Sequence, residues 1–190
     1  MLDALAFDTN SFASSYSSIK EKHTYNKMKI REELAEANNC IAIGDSSCYA
    51  DMVAVPKDFP DVVIKICSGT DSFIHYAHHC ISGKIAGPHI PKFFSETEIA
   101  PGVWLFVMER LDRSLTDHEW NMTVDRSISW WSNPPKRGKY ATVCRTLMED
   151  KKKIEEAMNS DPELYWCFDL HRGNFMLRKD GTIVYLDPVS

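Results

Sequence analysis

The stretch Phe168-Asp169-Leu170-His171-Arg172-Gly173-Asn174-Phe175-Met176-Leu177, followed by Ile183-Val184-Tyr185-Leu186-Asp187, decides how this chain is read. It sets an acid at Asp169, an amide at Asn174 and a second acid at Asp187. Two short apolar runs, Asn174 to Leu177 and Ile183 to Leu186, flank Lys179-Asp180-Gly181. Asp-Gly favours positive φ, so the spacing predicts a hairpin. Such a hairpin returns Asp187 to the end that carries Asn174. The expected result is an oxygen-rich cluster of Asp169, Asn174 and Asp187, suited to Mg²⁺ and a hydroxyl nucleophile.

The bulk properties narrow the setting. A chain of 190 residues makes one compact domain or a small two-lobed one. With 44% hydrophobic residues it has material for a core. A net charge of −5 and the lack of a basic run argue against direct nucleic-acid or membrane-surface binding. The six cysteines have no paired spacing and read as reduced thiols. Asp3 and Asp8 argue against a signal peptide, and no apolar run has the length of a membrane span.

Read in order, residues 1–22 are weakly patterned, and the serine-rich Ser11 to Ser18 reads as loop or turn. A helix is expected from Tyr25 to Asn38, then a strand at Cys40 to Ile43. Gly44-Asp45-Ser46-Ser47-Cys48 is a small polar turn, read either as an ordinary hairpin turn or as a loop whose backbone N–H groups cover phosphates. A strand at Asp51 to Val55 follows. The apolar strand Asp61 to Cys67 contains Lys65, which strand alternation alone would turn to solvent. Thr70 to Ser82 reads as a helix. Its His75 and His79 lie one turn apart, so a metal site is conceivable there, although no second ligand pair accompanies them. Gly87 to Pro91 is a rigid linker, and Lys92 to Ile99 and Val103 to Met108 are strands about a Pro101-Gly102 turn. Glu109 to Leu115 is a polar connector, and residues 116–139 are irregular and rich in tryptophan. Tyr140 to Met158 has the clearest helical period, with Lys151 to Lys153 on its solvated side. The fold class expected is α+β.

The order of parts resembles the protein-kinase fold: strand, glycine turn, strand, lysine strand, helix, two strands, hinge, long helix, Asp-x-x-x-x-Asn, hairpin, Asp. More narrowly, Cys167 to Asn174, Leu186-Asp187-Pro188-Val189-Ser190, Val63-Ile64-Lys65 and Ile90-Pro91-Lys92 are similar to the early serine/threonine protein kinase of autographiviruses, the coliphage T-seven group. The resemblance covers roughly Ile41 to Ser190.

It implies a two-lobed protein-kinase-like fold with a truncated, minimal C-terminal lobe. Residues 1–40 would form an N-terminal extension with a helix, 41–108 an N-lobe, and 109–190 a hinge and C-lobe. It implies ATP and Mg²⁺ as cofactors. Asp169 would be the catalytic base and Lys65 the phosphate-binding lysine. Asn174 and Asp187 would hold the metal. Gly44, Asp45, Ser46 and Ser47 would cover the phosphates, with Met108, Glu109 and Leu111 at adenine. His171 has two readings, contact with the transferred phosphate or support of its loop. The implied partners are host bacterial proteins, including RNA polymerase and RNA-processing enzymes, met in the cytoplasm of the infected host. The runner-up is a non-catalytic kinase-fold protein that binds and inhibits a host enzyme.

Three departures bear on this. Between Lys65 and Gly83 the only acid is Asp71, at the helix start, so the usual helix glutamate has no clear counterpart; two readings stand, that Glu96 or Glu98 substitutes or that Lys65 is held by phosphate alone. Asp187-Pro188-Val189 replaces Asp-Phe-Gly. The chain reaches Ser190 without a segment for presenting a substrate, so recognition is expected from residues 116–139 or the N-terminal helix, or else the chain is a fragment.

Overall fold

A computed structural model describes residues 9–24, 26–43, 50–128, 137–138, 140–162 and 164–190. The architecture is α+β, in two compact units. The first comprises Met1–Asp71 and Phe94–Glu109, the second Ser72–Phe93 and Arg110–Ser190.

The first unit is built on an antiparallel sheet. Its strands are β1 (Cys40–Ala42), β2 (Met52–Pro56), β3 (Val62–Ser68), β4 (Phe93–Ala100) and β5 (Val103–Glu109), in the order β1-β2-β3-β5-β4. The β4–β5 turn places Gly102 at φ +69°, a conformation glycine adopts without a Cβ clash. Alternation assigns the two faces. Met52, Ala54, Val62, Ile64, Ile66, Val103, Leu105 and Val107 lie in one core. Val53, Lys65 and Phe106 are opposite one another across β2, β3 and β5 and share the other face.

Two helices cover the core face, α1 (Thr9–Lys22) and α2 (Lys27–Ala37). The first corrects the loop expected at Ser11 to Ser18. Phe12 and Tyr16, one turn apart, are both buried, with Ile19 packed beside them. Each large apolar side chain fully buried contributes about 1.5–3 kcal/mol, which outweighs the weak helix propensity of serine. The serines also turn inward to their own helix, with Ser14 and Ser15 donating to the Ser11 carbonyl at 2.9 Å. The Tyr16 hydroxyl donates to Asp51 at 2.5 Å and accepts from Lys20 at 2.6 Å, tying α1 to the start of β2. The α2 helix begins at Asn26, whose side chain accepts from the Lys29 amide at 3.1 Å. It ends before Asn39, which has φ +53°.

In the second unit, α3 (Ser72–Ile81) and α6 (Ala141–Met158) accompany a small sheet of β6 (Arg113–Ser114), β7 (Phe175–Leu177) and β8 (Ile183–Tyr185). The polar connector expected at Glu109 to Leu115 thus contains a strand, because Arg113 and Ser114 pair with Leu177 and Met176. The irregular stretch expected at 116–139 is helical in its first part. There α4 (Asp117–Glu119), a π turn (Trp120–Val124) and α5 (Asp125–Ile128) run on from one another. The cause is a capping box: Thr116 accepts from the Glu119 amide, and Glu119 accepts from the Thr116 amide. Trp120 packs edge-on to Phe175, 5.4 Å between centroids. Trp130 and Trp131, with Pro134-Pro135, lie outside the described residues.

Candidate functional site

The β7–β8 hairpin forms as its Asp-Gly turn predicts, with Gly181 at φ +84° and Phe175 opposite Tyr185. The Leu186 amide donates to the Asn174 carbonyl at 2.8 Å, one step beyond the paired strands. Past it, the chain pairs with the segment that leads into Asp169. The Asp169 amide donates to the Pro188 carbonyl at 2.9 Å, and Cys167 and Ser190 exchange two backbone bonds. The backbone therefore brings Asp169, Asn174 and Asp187 to one end of the hairpin. All three are partly exposed.

The loop between Asp169 and Asn174 is held from inside. The Asn174 side-chain amide donates to the Asp169 carbonyl at 2.7 Å. His171 Nδ1 accepts from the Gly173 amide at 3.0 Å, and its Nε2 lies 3.6 Å from the Asp169 carboxylate. A Cβ at Gly173 would come within 2.8 Å of the His171 ring, so a larger residue here would push that ring aside. Arg172 is ion-paired with Asp117. Of the two roles foreseen for His171, loop support has direct contacts here.

Asn174 and Asp187 carry oxygen donors, the kind that magnesium takes. Among the described residues no group of three or more His, Cys, Asp or Glu side chains is arranged to hold a metal. Magnesium seldom uses such a cage. It takes one or two carboxylates and completes its octahedron with water and phosphate oxygens. Asn174 spends its NH₂ group on the Asp169 carbonyl, so Oδ1 is the atom that would ligate beside Asp187. The histidine pair on α3 belongs to no such group either. Burial, then the charge of Lys84, pushes His79 below the ordinary imidazole value.

The strand leading to Asp187 is anchored from its free edge. The Tyr76 hydroxyl, wholly buried on α3, donates to the Tyr185 carbonyl at 3.1 Å. Burial pushes this hydroxyl well above the ordinary tyrosine range, with the neighbouring Cys80 and then Asp187 adding to the effect. The Tyr185 amide donates to the His89 carbonyl at 2.8 Å. His89 Nδ1 donates to the Ile183 carbonyl at 2.7 Å, so the neutral ring accepts at Nε2 from Thr146, also at 2.7 Å. Burial holds His89 below the usual imidazole value. Arg178 donates to the Pro88 and Ile90 carbonyls. The linker at Gly87 to Pro91 is thus fixed by contacts as well as by its prolines. Asp150, buried on α6, accepts from the His89 amide at 3.0 Å and from Lys153 at 2.8 Å. Sequence reading passed over Tyr76, His89 and Asp150. Asp150 left a signal, since it falls on the same α6 stripe as Leu147 and Ile154.

The other expected residues fall on other elements or outside the described residues. Lys65, in the first unit, is buried at 6% exposure, against the solvent-facing side that alternation alone would give it. Met108 and Glu109 end β5 in the same unit, while Leu111 is buried in the second. Glu98 is occupied at the β4–β5 turn, where it accepts from the Gly102 amide at 2.8 Å. Glu96 is half-buried on β4. Gly44, Asp45, Ser46 and Ser47 lie outside the described residues.

Among the described residues no helix is long and apolar enough to cross a membrane. No family model matches the chain, and no curated protein matches it.

Proposed function

We propose that this chain is an ATP- and Mg²⁺-dependent serine/threonine protein kinase with a two-lobed, kinase-like fold. The observation that carries the reading is the gathering of Asp169, Asn174 and Asp187 by the Asn174–Asp169, Leu186–Asn174 and Asp169–Pro188 hydrogen bonds. A base, an amide and an acid so placed match what phosphoryl transfer requires, which is positioning and charge neutralisation. Asp169 orients a serine or threonine hydroxyl and accepts its proton. Asn174 Oδ1 and Asp187 hold the metal, which when bound neutralises charge on the phosphate oxygens. Lys65 holds the α- and β-phosphates, and Gly44 to Ser47 cover them. Met108, Glu109 and Leu111 border adenine, and His171 braces the loop. The partners proposed are host bacterial proteins of transcription and RNA processing, in the cytoplasm of a phage-infected cell. The chain would label itself as well.

A second reading, a kinase-fold protein that binds and inhibits a host enzyme, draws on one observation. Helix α3 carries no carboxylate, and Glu98 is engaged by Gly102.

Transfer of radiolabel from ATP decides between the two. The kinase reading expects Mg²⁺-dependent labelling that Asp169→Ala and Lys65→Ala each remove. Labelling that persists in both variants would overturn these assignments. No labelling and no thermal shift with Mg²⁺-ATP would favour the inhibitor.

A further inference from the structure

Asp187 is flanked by anchors on both sides. Before it, the Leu186 amide is bonded to the Asn174 carbonyl and the Tyr185 carbonyl to the Tyr76 hydroxyl. After it, the Pro188 carbonyl is bonded to the Asp169 amide, and Ser190 is paired with Cys167. Most of these anchors are backbone pairs within the hairpin and its continuation. Tyr76 is different in kind, a side chain brought from α3, 109 positions away in sequence.

Its surroundings leave it little freedom. Tyr76 is fully buried, with the ring against Phe73 at 6.0 Å and Phe93 at 6.4 Å between centroids. The hydroxyl is held by its own bond to the Tyr185 carbonyl, at 3.1 Å. That hydroxyl meets a carbonyl on the edge of β8 that β7 does not use. Two positions earlier on the same edge, His89 Nδ1 holds the Ile183 carbonyl. Side-chain donors thus fix this edge at two carbonyls up to the residue two before Asp187. Partners bonded directly to a ligand shift metal affinity about 10- to 100-fold when removed, and a bond that fixes the backbone two residues before the ligand acts in the same direction at the lower end of that range.

We propose that Tyr76 is a positioning residue for a divalent cation at Asp187, with its hydroxyl setting the register of β8. This rests on the kinase reading above, since it takes Asp187 as a metal ligand. Helix α3 then serves the metal site through a neutral hydroxyl, where no carboxylate is present on the helix.

The test is Mn²⁺ binding in the presence of a non-hydrolysable ATP analogue, followed by electron paramagnetic resonance, with melting temperature recorded alongside. Wild type should bind, and Asp187→Asn should not. Tyr76→Phe keeps the ring and loses the hydroxyl. It should weaken Mn²⁺ about 10-fold and raise the Mg²⁺ concentration needed for half-maximal phosphotransfer, while activity at saturating Mg²⁺ recovers. Phe73→Leu disturbs the same aromatic packing without touching the hydroxyl. It should lower the melting temperature and leave the Mn²⁺ affinity near wild type. Equal Mn²⁺ affinity in wild type and Tyr76→Phe would overturn the proposal while leaving the kinase reading intact. So would an equal loss of affinity in Phe73→Leu, because packing would then be the cause. A wild-type chain that binds no Mn²⁺ with the analogue would overturn the kinase reading itself, and the role of Tyr76 with it.

Discussion

The Asn174 side-chain amide donates to the backbone carbonyl of Asp169, five positions earlier, at 2.7 Å. In the proposed function this residue has two tasks, closing the loop with its nitrogen and offering its oxygen to a cation. Asn174→Asp separates them. The carboxylate keeps an oxygen for the metal but loses the donor and sets a negative charge against a carbonyl. Phosphotransfer should fall at least about 10-fold, with a stability loss of only about 1 kcal/mol. Initial rates of label transfer and urea midpoints measure the two effects separately.

His89 makes stability depend on pH. Burial lowers its native value beneath the ordinary 6.5, so the unfolded chain takes up a proton more readily than the folded one. The contribution is fully present above pH 6.5 and declines below it, until pH has passed the lower native value. Burial of His79 acts in the same direction. Urea midpoints should therefore be flat just above pH 6.5 and drop as the solution is acidified. His89→Gln, which has no such titration, should flatten part of that slope. An identical slope in the variant would remove His89 as its cause.

Phe12→Ala tests whether α1 belongs to the core of the first unit. The side chain is wholly buried among Leu34, Met52 and other residues of that core. Its loss should cost about 3–5 kcal/mol, read by urea denaturation. An effect below about 1 kcal/mol is what an exposed, loop-like N-terminal stretch would give instead.

Gly87→Ala probes the contact between the linker and α6. A Cβ at position 87 would lie 2.0 Å from Asp150 Oδ1, inside any allowed approach. Asp150 is itself held by the His89 amide and Lys153, so it cannot simply turn away. The substitution should destabilise by about 1–3 kcal/mol or more. Gly69→Ala is a useful comparison, since its penalty comes only from φ +75° and nothing lies within 4 Å of the added carbon.

What the sequence made legible was local. The strands other than β6 announce themselves by apolar runs, the β7–β8 hairpin by Asp-Gly, and α6 by its period. The meeting of Asn174 and Asp187 follows from the hairpin, because a tight turn dictates which residues meet, whereas Asp169 joins them through its pairing with Pro188. The α1 helix was hidden because serine is a poor helix former, and its case rests on burying Phe12 and Tyr16 against strands far along the chain. The anchoring of β8 was hidden for a similar reason. Tyr76 and Tyr185 are 109 positions apart, and His89 and Ile183 are 94 apart. No periodicity or spacing rule links residues at such separations.

The second unit is discontinuous, and Ser72–Phe93 is completed only by residues beyond Arg110. On a ribosome adding roughly 5–20 residues per second, Tyr76 would emerge on the order of 5–20 s before the strand whose carbonyl it caps. During that interval Phe73, Ile74, Tyr76 and Ala77, all buried at the end, have no finished core to enter. Long-range closure of this kind slows folding and prolongs exposure of apolar surface. A nascent chain paused at about residue 160 should therefore bind a hydrophobic-site chaperone. A chain released with residues 183–185 in place should shed it as β8 docks, which makes the arrival of β8 the step that commits this unit to its fold.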